Sequence, residues 1–364
     1  MFRDHHVHIP TTHLKVGEVN HLELSILNKY RKDGVGLHSY VDPTDNLQYL
    51  YTQFEADFAH YVFPCFDQPD LKAVWTLSVL TEEEWAVISN EHDKLVEERA
   101  ASLNEAVAQA SALFKDSADL ALQKPKAHIF RESDRISTYI YAIVAGPFGF
   151  YERNTEGLPP MRIYARSSLL KDVNHELMFN VTESGMWFYK DFFGIAYPFR
   201  KYDQIFVPEH NYGAMENVGA VTYNEAYMYR GETPTLAKLL RFSITNLHEL
   251  AHMWFGNLVT MKWWNDLWLN ESFATFMSFL AMSRGPTIEQ FHSTCWVTFL
   301  QYKFWGISTD QLSSTHPICT EIVSTDQAES LFDGISYGKG SAFLKQFYNI
   351  LGFETMSKGL HLYF

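Results

Sequence analysis

Two histidines four residues apart, His248 and His252, constrain this 364-residue chain more than anything else in it. On a helix, positions i and i+4 lie on one face, so the two imidazoles converge. The stretch His248-Glu249-Leu250-Ala251-His252 has the pattern of a zinc site in which the intervening glutamate is the general base. A third ligand must come from elsewhere. Glu271 lies 19 positions beyond His252, enough to finish one helix, turn back and start another. Three protein ligands leave a fourth position open for water, as a catalytic zinc requires.

The surroundings favour this over two solvated histidines on a polar helix face. A helix is expected from Thr235 to Phe255, after Pro234 and before Gly256-Asn257. Leu236, Leu239, Leu240, Leu247 and Leu250 supply its apolar positions, while Arg241, Thr245, His248 and His252 form a polar stripe that should face a cleft. A second helix is expected from about Asn265 to Ser283, stopping at Gly285-Pro286, with Glu271 in its first half. Glu271 has apolar flanks, and a carboxylate is costly to bury unpaired; a zinc ion resolves that cost.

The chain is long enough for two ordinary domains, and its 46% hydrophobic content supports sizeable cores. A net charge of −14 argues against nucleic acid and anionic membrane surfaces. It favours cationic ligands such as a peptide amino terminus. Cys65, Cys295 and Cys319 are odd in number and widely spaced, which implies no disulfide framework. No leader-like segment and no run of 18 apolar residues is seen. The expectation is therefore a cytoplasmic protein without a membrane span; oligomeric state is left open.

Along the chain, Leu22 to Val79 reads as strand, with turns at Lys32-Asp33-Gly34 and Asp42-Pro43. Strand patterns resume at Ala127–Phe130 and Ser137–Val144. Between them, Val96, Leu103, Val107, Ala110 and Phe114 recur at helical spacing, predicting one amphipathic helix in an insertion over about 82–123. A helical pattern restarts from Leu170 to Phe193. The fold class expected is α+β. A β-sandwich domain over 1–166 precedes a mixed α/β domain over 167–364. Gly213-Ala214-Met215-Glu216-Asn217 lies between the strand-like runs Gln204–Val207 and Ala220–Tyr223. An edge strand there could pair with an extended ligand, and glycine permits close backbone approach.

The zinc pattern, followed by Trp263-Trp264-Asn265-Asp266-Leu267-Trp268-Leu269-Asn270-Glu271, resembles the zinc core of the aminopeptidase N family of metallopeptidases. Gly213-Ala214-Met215-Glu216-Asn217 is similar to that family's exopeptidase motif. Thr52-Gln53-Phe54-Glu55 and Phe63-Pro64-Cys65-Phe66-Asp67-Gln68-Pro69-Asp70 resemble its N-terminal domain. The resemblance implies a thermolysin-like catalytic domain holding one zinc ion per chain on His248, His252 and Glu271, with Glu249 as general base. Tyr337-Gly338-Lys339-Gly340 matches the family's Tyr-x-Lys-Gly segment, which makes Tyr337 the oxyanion donor. Glu216 and Glu55 become the anchors of a free α-ammonium. Gly213, Ala214, Met215, Asn217 and Tyr212 complete the substrate site.

Removal of single residues from the amino termini of peptides is the implied activity. Two alternatives stand beside it. The leukotriene A4 hydrolase branch adds epoxide hydrolysis, but carries glycine and glutamine where this chain has Ala214 and Glu55. The other alternative is an inactive peptide-binding paralogue. Family members are longer than this chain. Against their pattern it begins inside the first domain and stops at Phe364, so exposed apolar surface, self-association and weak turnover are expected.

Overall fold

The computed structural model describes residues 2–3, 6–93, 124–230, 233–286 and 288–364. The first part is β-rich and the second mixes a sheet with helices, an α+β chain. Strands β1 (Phe2–Arg3) and β2 (His6–Val7) form a short antiparallel pair. Strands β3 (Gly36–Val41), β4 (Gln48–Gln53), β6 (Ala86–Ser89) and β8 (Ile143–Gly146) form a four-stranded sheet in the order β3-β4-β8-β6. Strands β5 (Ser78–Glu82) and β7 (Pro125–Ile129) pair antiparallel beside it. Leu50, Val87 and Ala145 of the larger sheet share a core with Val79 of the smaller one and with Leu77 and Phe130, which flank its strands. These are the inward faces of a two-layered arrangement.

Strands β9 (Phe148–Arg153), β10 (Met161–Arg166), β11 (Tyr202–Val207), β12 (Ala214–Met215) and β13 (Ala220–Asn224) build a five-stranded sheet in the order β12-β13-β11-β10-β9. The central strands β10, β11 and β13 run parallel. Every residue of β11 is buried, as a strand covered on both faces requires. One cover is helical: α1 (His175–Phe193), α2 (Leu236–His252) and α3 (Leu267–Met282) share the largest core with Met161, Ile163, Phe206 and Val221. On the other face, Ile205, Val207 and Ala220 pack against Tyr49, Tyr51 and Val144 of the first sheet.

Four expectations need correction. Strands β9 and β10, expected within a domain ending at Arg166, hydrogen-bond into the second sheet, so the change of sheet falls between Gly146 and Phe148. Leu22–Val79 holds only β3, β4 and the start of β5 as ladders. Pro64 and Pro69 lie in the intervening stretch and have no N–H to donate. Thr138–Ile140 is a 3-10 turn rather than strand. There Asn90 Nδ2 donates to Ile140 O and Asn90 Oδ1 accepts from Ala142 N, both at 2.9 Å, taking backbone groups that a ladder would use. Residues 86–89 of the expected insertion form β6. The predicted amphipathic helix, with Val96, Leu103, Val107, Ala110 and Phe114, lies outside the described residues.

Thr235 caps α2 by accepting from Lys238 N at 3.3 Å, and α2 ends at His252, three residues before the expected stop. Helix α3 is buried almost all round, as a central helix should be. Beyond it come α4 (Cys295–Asp310), α5 (Thr325–Glu329), a π-helical turn over Ile335–Lys339, α6 (Gly340–Leu351) and α7 (Phe353–Tyr363). Large apolar side chains stand exposed on α4, α6 and α7, among them Phe304, Phe343, Ile350 and Leu362. Surfaces of this kind favour association. No helix among the described residues is long and apolar enough to cross a membrane.

The two sheets are also joined electrostatically. Buried Arg166, at the end of β10, donates from Nε and Nη2 to the two oxygens of Glu225 at 2.6 Å and from Nη1 to Asp42. Removing the guanidinium strands two carboxylates, so Arg166→Ala should cost about 3–5 kcal/mol, read as a lower urea midpoint; an unchanged midpoint would show that the cluster holds nothing. Burial pushes the Asp42 carboxyl up. Hydrogen bonds from Ser168 and Thr44 and the Arg166 charge outweigh that and hold it at about 2, below its ordinary 3.8. A depressed pKa stabilises the fold above the unfolded value. That share of stability should fade as pH falls from about 4 to about 2.

Candidate metal centre and cleft

Helices α2 and α3 pack side by side and set three ligand atoms close together. His248 Nε2 lies 2.9 Å from His252 Nε2 and 3.2 Å from Glu271 Oε2, and His252 Nε2 is 3.6 Å from that same oxygen. Zinc bonds of about 2.0–2.2 Å in tetrahedral array place ligand atoms roughly 3.3 Å apart, so the three suit one such ion. Glu271 Oε2 is buried without a hydrogen-bond partner, an orphan that a cation satisfies. His252 Nδ1 approaches Phe255 O at 3.1 Å and Asn270 Oδ1 at 2.6 Å. Its proton is thereby held on Nδ1, and the Nε2 lone pair faces the other ligands. Burial pulls the His248 imidazole down to about 4, against the opposing Glu216 charge; it is neutral, as a ligand must be.

These atoms line a cavity of about 320 Å³. Glu249, Glu216 and Glu55 open into it as well. Burial, then the Glu216 and Glu271 charges, push the Glu249 carboxyl well above the ordinary range. Burial, then the Glu216 and Glu271 charges, also raise Glu55, with Glu329 and Glu249 adding to them. Glu271 is pushed up to about 7 by burial; His252 opposes, Glu216 adds, and a hydrogen bond from Tyr337 opposes again. Glu249 Oε2 and Glu55 Oε1 are, like Glu271 Oε2, buried without a hydrogen-bond partner. No lysine or arginine among the described residues lines the cavity. The arrangement is a cation trap.

Strand β12 forms the sheet edge beside it, with Ala214 opposite Tyr223 and Met215 opposite Thr222. Strand alternation divides the motif. Gly213, Ala214 and Glu216 line the cavity. Met215 and Asn217, expected at the substrate site with them, do not. Met215 Sδ lies 3.3 Å from Gln53 Nε2, and Asn217 Nδ2 lies 3.4 Å from Thr222 Oγ1. Gly213 is needed for close approach, because a Cβ there would sit 2.9 Å from the Tyr227 hydroxyl.

Glu55 arrives from the first sheet, two residues beyond β4. Tyr337, from the π-helical turn, lies with its ring 5.9 Å from that of His248. Burial and the Glu271 charge push its phenol up, so it stays a hydrogen-bond donor. Tyr212 lines the cavity rim.

Sequence reasoning missed Tyr227, Ile244, Tyr302, Trp305, Glu329 and Phe332, which also line the cavity. Only Ile244 could have been found from helical phase, lying four residues before His248. Arg241, expected in the cleft-facing stripe, instead sits over the Tyr227 ring at 5.3 Å.

The chain is similar to known peptidases over most of its length. A model described as the peptidase family M1 domain matches residues 177–364, and one described as the peptidase M1 N-terminal domain matches residues 3–110. Aminopeptidase N of Streptomyces lividans is 42% identical over 342 residues, covering 92% of this chain and 36% of that protein. Probable aminopeptidase 2 of Sulfurisphaera tokodaii is 35% identical over 344 residues, 94% of this chain and 40% of its own length. Tricorn protease-interacting factor F2 of Thermoplasma acidophilum is 33% identical over 347 residues, 91% of this chain and 40% of its length. The chain therefore spans well under half the length of these relatives.

Proposed function

The chain belongs to peptidase family M1, and from that premise we propose that it is a zinc aminopeptidase that removes the first residue from peptides with a free amino terminus. The observation that carries this reading is the meeting, in one cavity, of the His248–His252–Glu271 trio with four further carboxylates, Glu55, Glu216, Glu249 and Glu329, and with Tyr337. The relatives' names, aminopeptidase N and probable aminopeptidase 2, support it. The three free cysteines fit the reducing, cytoplasmic setting that we propose with it.

His248, His252 and Glu271 would hold one zinc ion, and when bound it supplies Lewis acidity at the cavity floor. Glu249, next to the ligand His248, takes a proton from the attacking water and passes it to the leaving amine. The Tyr337 hydroxyl donates to the oxygen that gains charge as the scissile carbonyl is attacked. Glu216 and Glu55 accept from the α-ammonium and so fix where the chain begins. The β12 edge presents unpaired backbone groups to the first residues of an extended peptide. An acylated amino terminus leaves two carboxylates facing each other without a cation, which is the physical basis of exopeptidase action.

Metal analysis of the purified protein should find one zinc per chain, and His252→Ala should lower that content sharply; an unchanged content would remove the ligand assignment. Glu249→Gln should keep the zinc and lower turnover of an aminoacyl fluorogenic substrate by roughly 10²–10⁴-fold. Near-normal turnover would show that another base acts. N-acetylated peptides should resist cleavage, and Glu216→Ala should narrow the gap by weakening the free-amine substrate. Equal cleavage of acetylated and free peptides would make the enzyme an endopeptidase.

A further inference from the structure

Asn270 immediately precedes Glu271 on α3 and is 2% exposed. Its side chain makes two bonds of opposite polarity. Oδ1 lies 2.6 Å from His252 Nδ1, and Nδ2 donates to Glu216 Oε1 at 3.1 Å. The polarity is forced. A histidine that ligates through Nε2 carries its proton on Nδ1, so Asn270 must present its carbonyl oxygen there. The amide nitrogen is then left for the Glu216 carboxylate, which can only accept.

We propose that Asn270 is a positioning residue that ties the metal ligand His252 to the amine anchor Glu216. It rests on the reading of those two residues given above. Across Asn270, His252 Nδ1 and Glu216 Oε1 are only 3.8 Å apart. Without the amide, Glu216 would be drawn onto the imidazole and away from the ammonium it is to hold. With it, His252 finds a neutral acceptor, and Glu216 keeps its second oxygen for the cavity.

The surroundings are shaped around that amide. Gly256 adopts φ +110°, and a Cβ there would fall 2.2 Å from Asn270 Oδ1. Tyr139 donates to Gly256 O at 3.1 Å and fixes that turn. Asn257, next in the turn, donates from Nδ2 to Glu216 O at 2.8 Å. One turn after α2 therefore clears space for Asn270 and holds the backbone of the anchor that Asn270 orients. Only an amide serves both neighbours: aspartate would suit His252 but set a carboxylate against Glu216, and alanine would serve neither.

The test compares Asn270→Asp and Asn270→Ala with the parent chain. Zinc affinity is measured by competition with a chromophoric chelator, and binding of leucinol, a primary amine with no bond to cleave, by calorimetry on the zinc-loaded protein. Asn270→Asp should hold zinc within about threefold of the parent and bind leucinol at least about tenfold more weakly. Asn270→Ala should lose about tenfold in zinc affinity, the low end for a lost ligand-orienting partner, because Phe255 O remains within reach of His252; leucinol should weaken too. A merely structural role would not separate the two readouts. Equal loss of zinc in both variants, or parental leucinol affinity in Asn270→Asp, overturns the proposal. Should Asn270→Ala fail to fold, the aspartate variant alone decides. A parent chain that binds zinc but no leucinol refutes the amine-anchor reading of Glu216, and the tie with it, which is a different result from an aspartate variant that binds leucinol normally.

Discussion

Four carboxylates, Glu55, Glu216, Glu249 and Glu271, meet a fifth, Glu329, in one cavity that no lysine or arginine among the described residues lines. Gathering like charges away from water is unfavourable, and the raised carboxyls of Glu55, Glu249 and Glu271 record it. A protein tolerates such a cluster only if the rest of the fold holds it together. Here the four come from separate elements: the end of β4, the strand edge after β12, and the facing helices α2 and α3. Their backbones are fixed by cores that run continuously from helix to sheet and from sheet to sheet. The charge deficit is then left for cations from outside. In the proposed reading a metal ion would answer the trio, and a substrate ammonium the pair beside the strand edge. An internal lysine would neutralise the same charge permanently and leave nothing to recognise.

That His248, His252, Glu271 and Glu249 come together was legible because that information is local. Helical phase puts His248, Glu249 and His252 on adjacent positions, and the length of the intervening turn brings Glu271 back to them. The exopeptidase motif and Tyr337 were legible only through family resemblance. Nothing in their own spacing says that a strand edge and a π-helical turn meet over α2. The same holds for Glu55, which reaches the cavity from a sheet more than 150 residues upstream of Glu216. Met215 and Asn217 show the limit of reading a motif as a block: in a strand, alternate residues face opposite ways, and these two pack away from the cavity that Gly213, Ala214 and Glu216 line.

Strand patterns in the first part misled for a related reason. Alternating hydrophobicity says that a segment lies on a core, not that it joins a ladder. The Thr138–Ile140 turn is buried as thoroughly as a strand, yet Asn90 supplies its backbone partners. The domain boundary misled because β9 and β10 have the composition of the strands before them while pairing with those after. Where β10 runs parallel to β11, the link is the crossover helix α1, and a parallel partner so far along the chain leaves no short-range signal.

The proposed metal ligands and the proposed amine anchor thus form one electrostatic unit rather than two neighbouring sites. Glu216 reaches His252 through Asn270, and its charge also acts on Glu249 and Glu271. Any cation that enters relieves the repulsion felt by all four carboxylates, so binding at one end of the cavity alters the other by Coulomb's law alone. Orientation needs more than charge. A carboxylate that would attract a metal would equally attract an imidazole N–H or an ammonium. The neutral amide of Asn270, wedged between His252 and Glu216, assigns each charged group its own partner. It does so with hydrogen bonds whose polarity cannot be reversed while His252 ligates through Nε2.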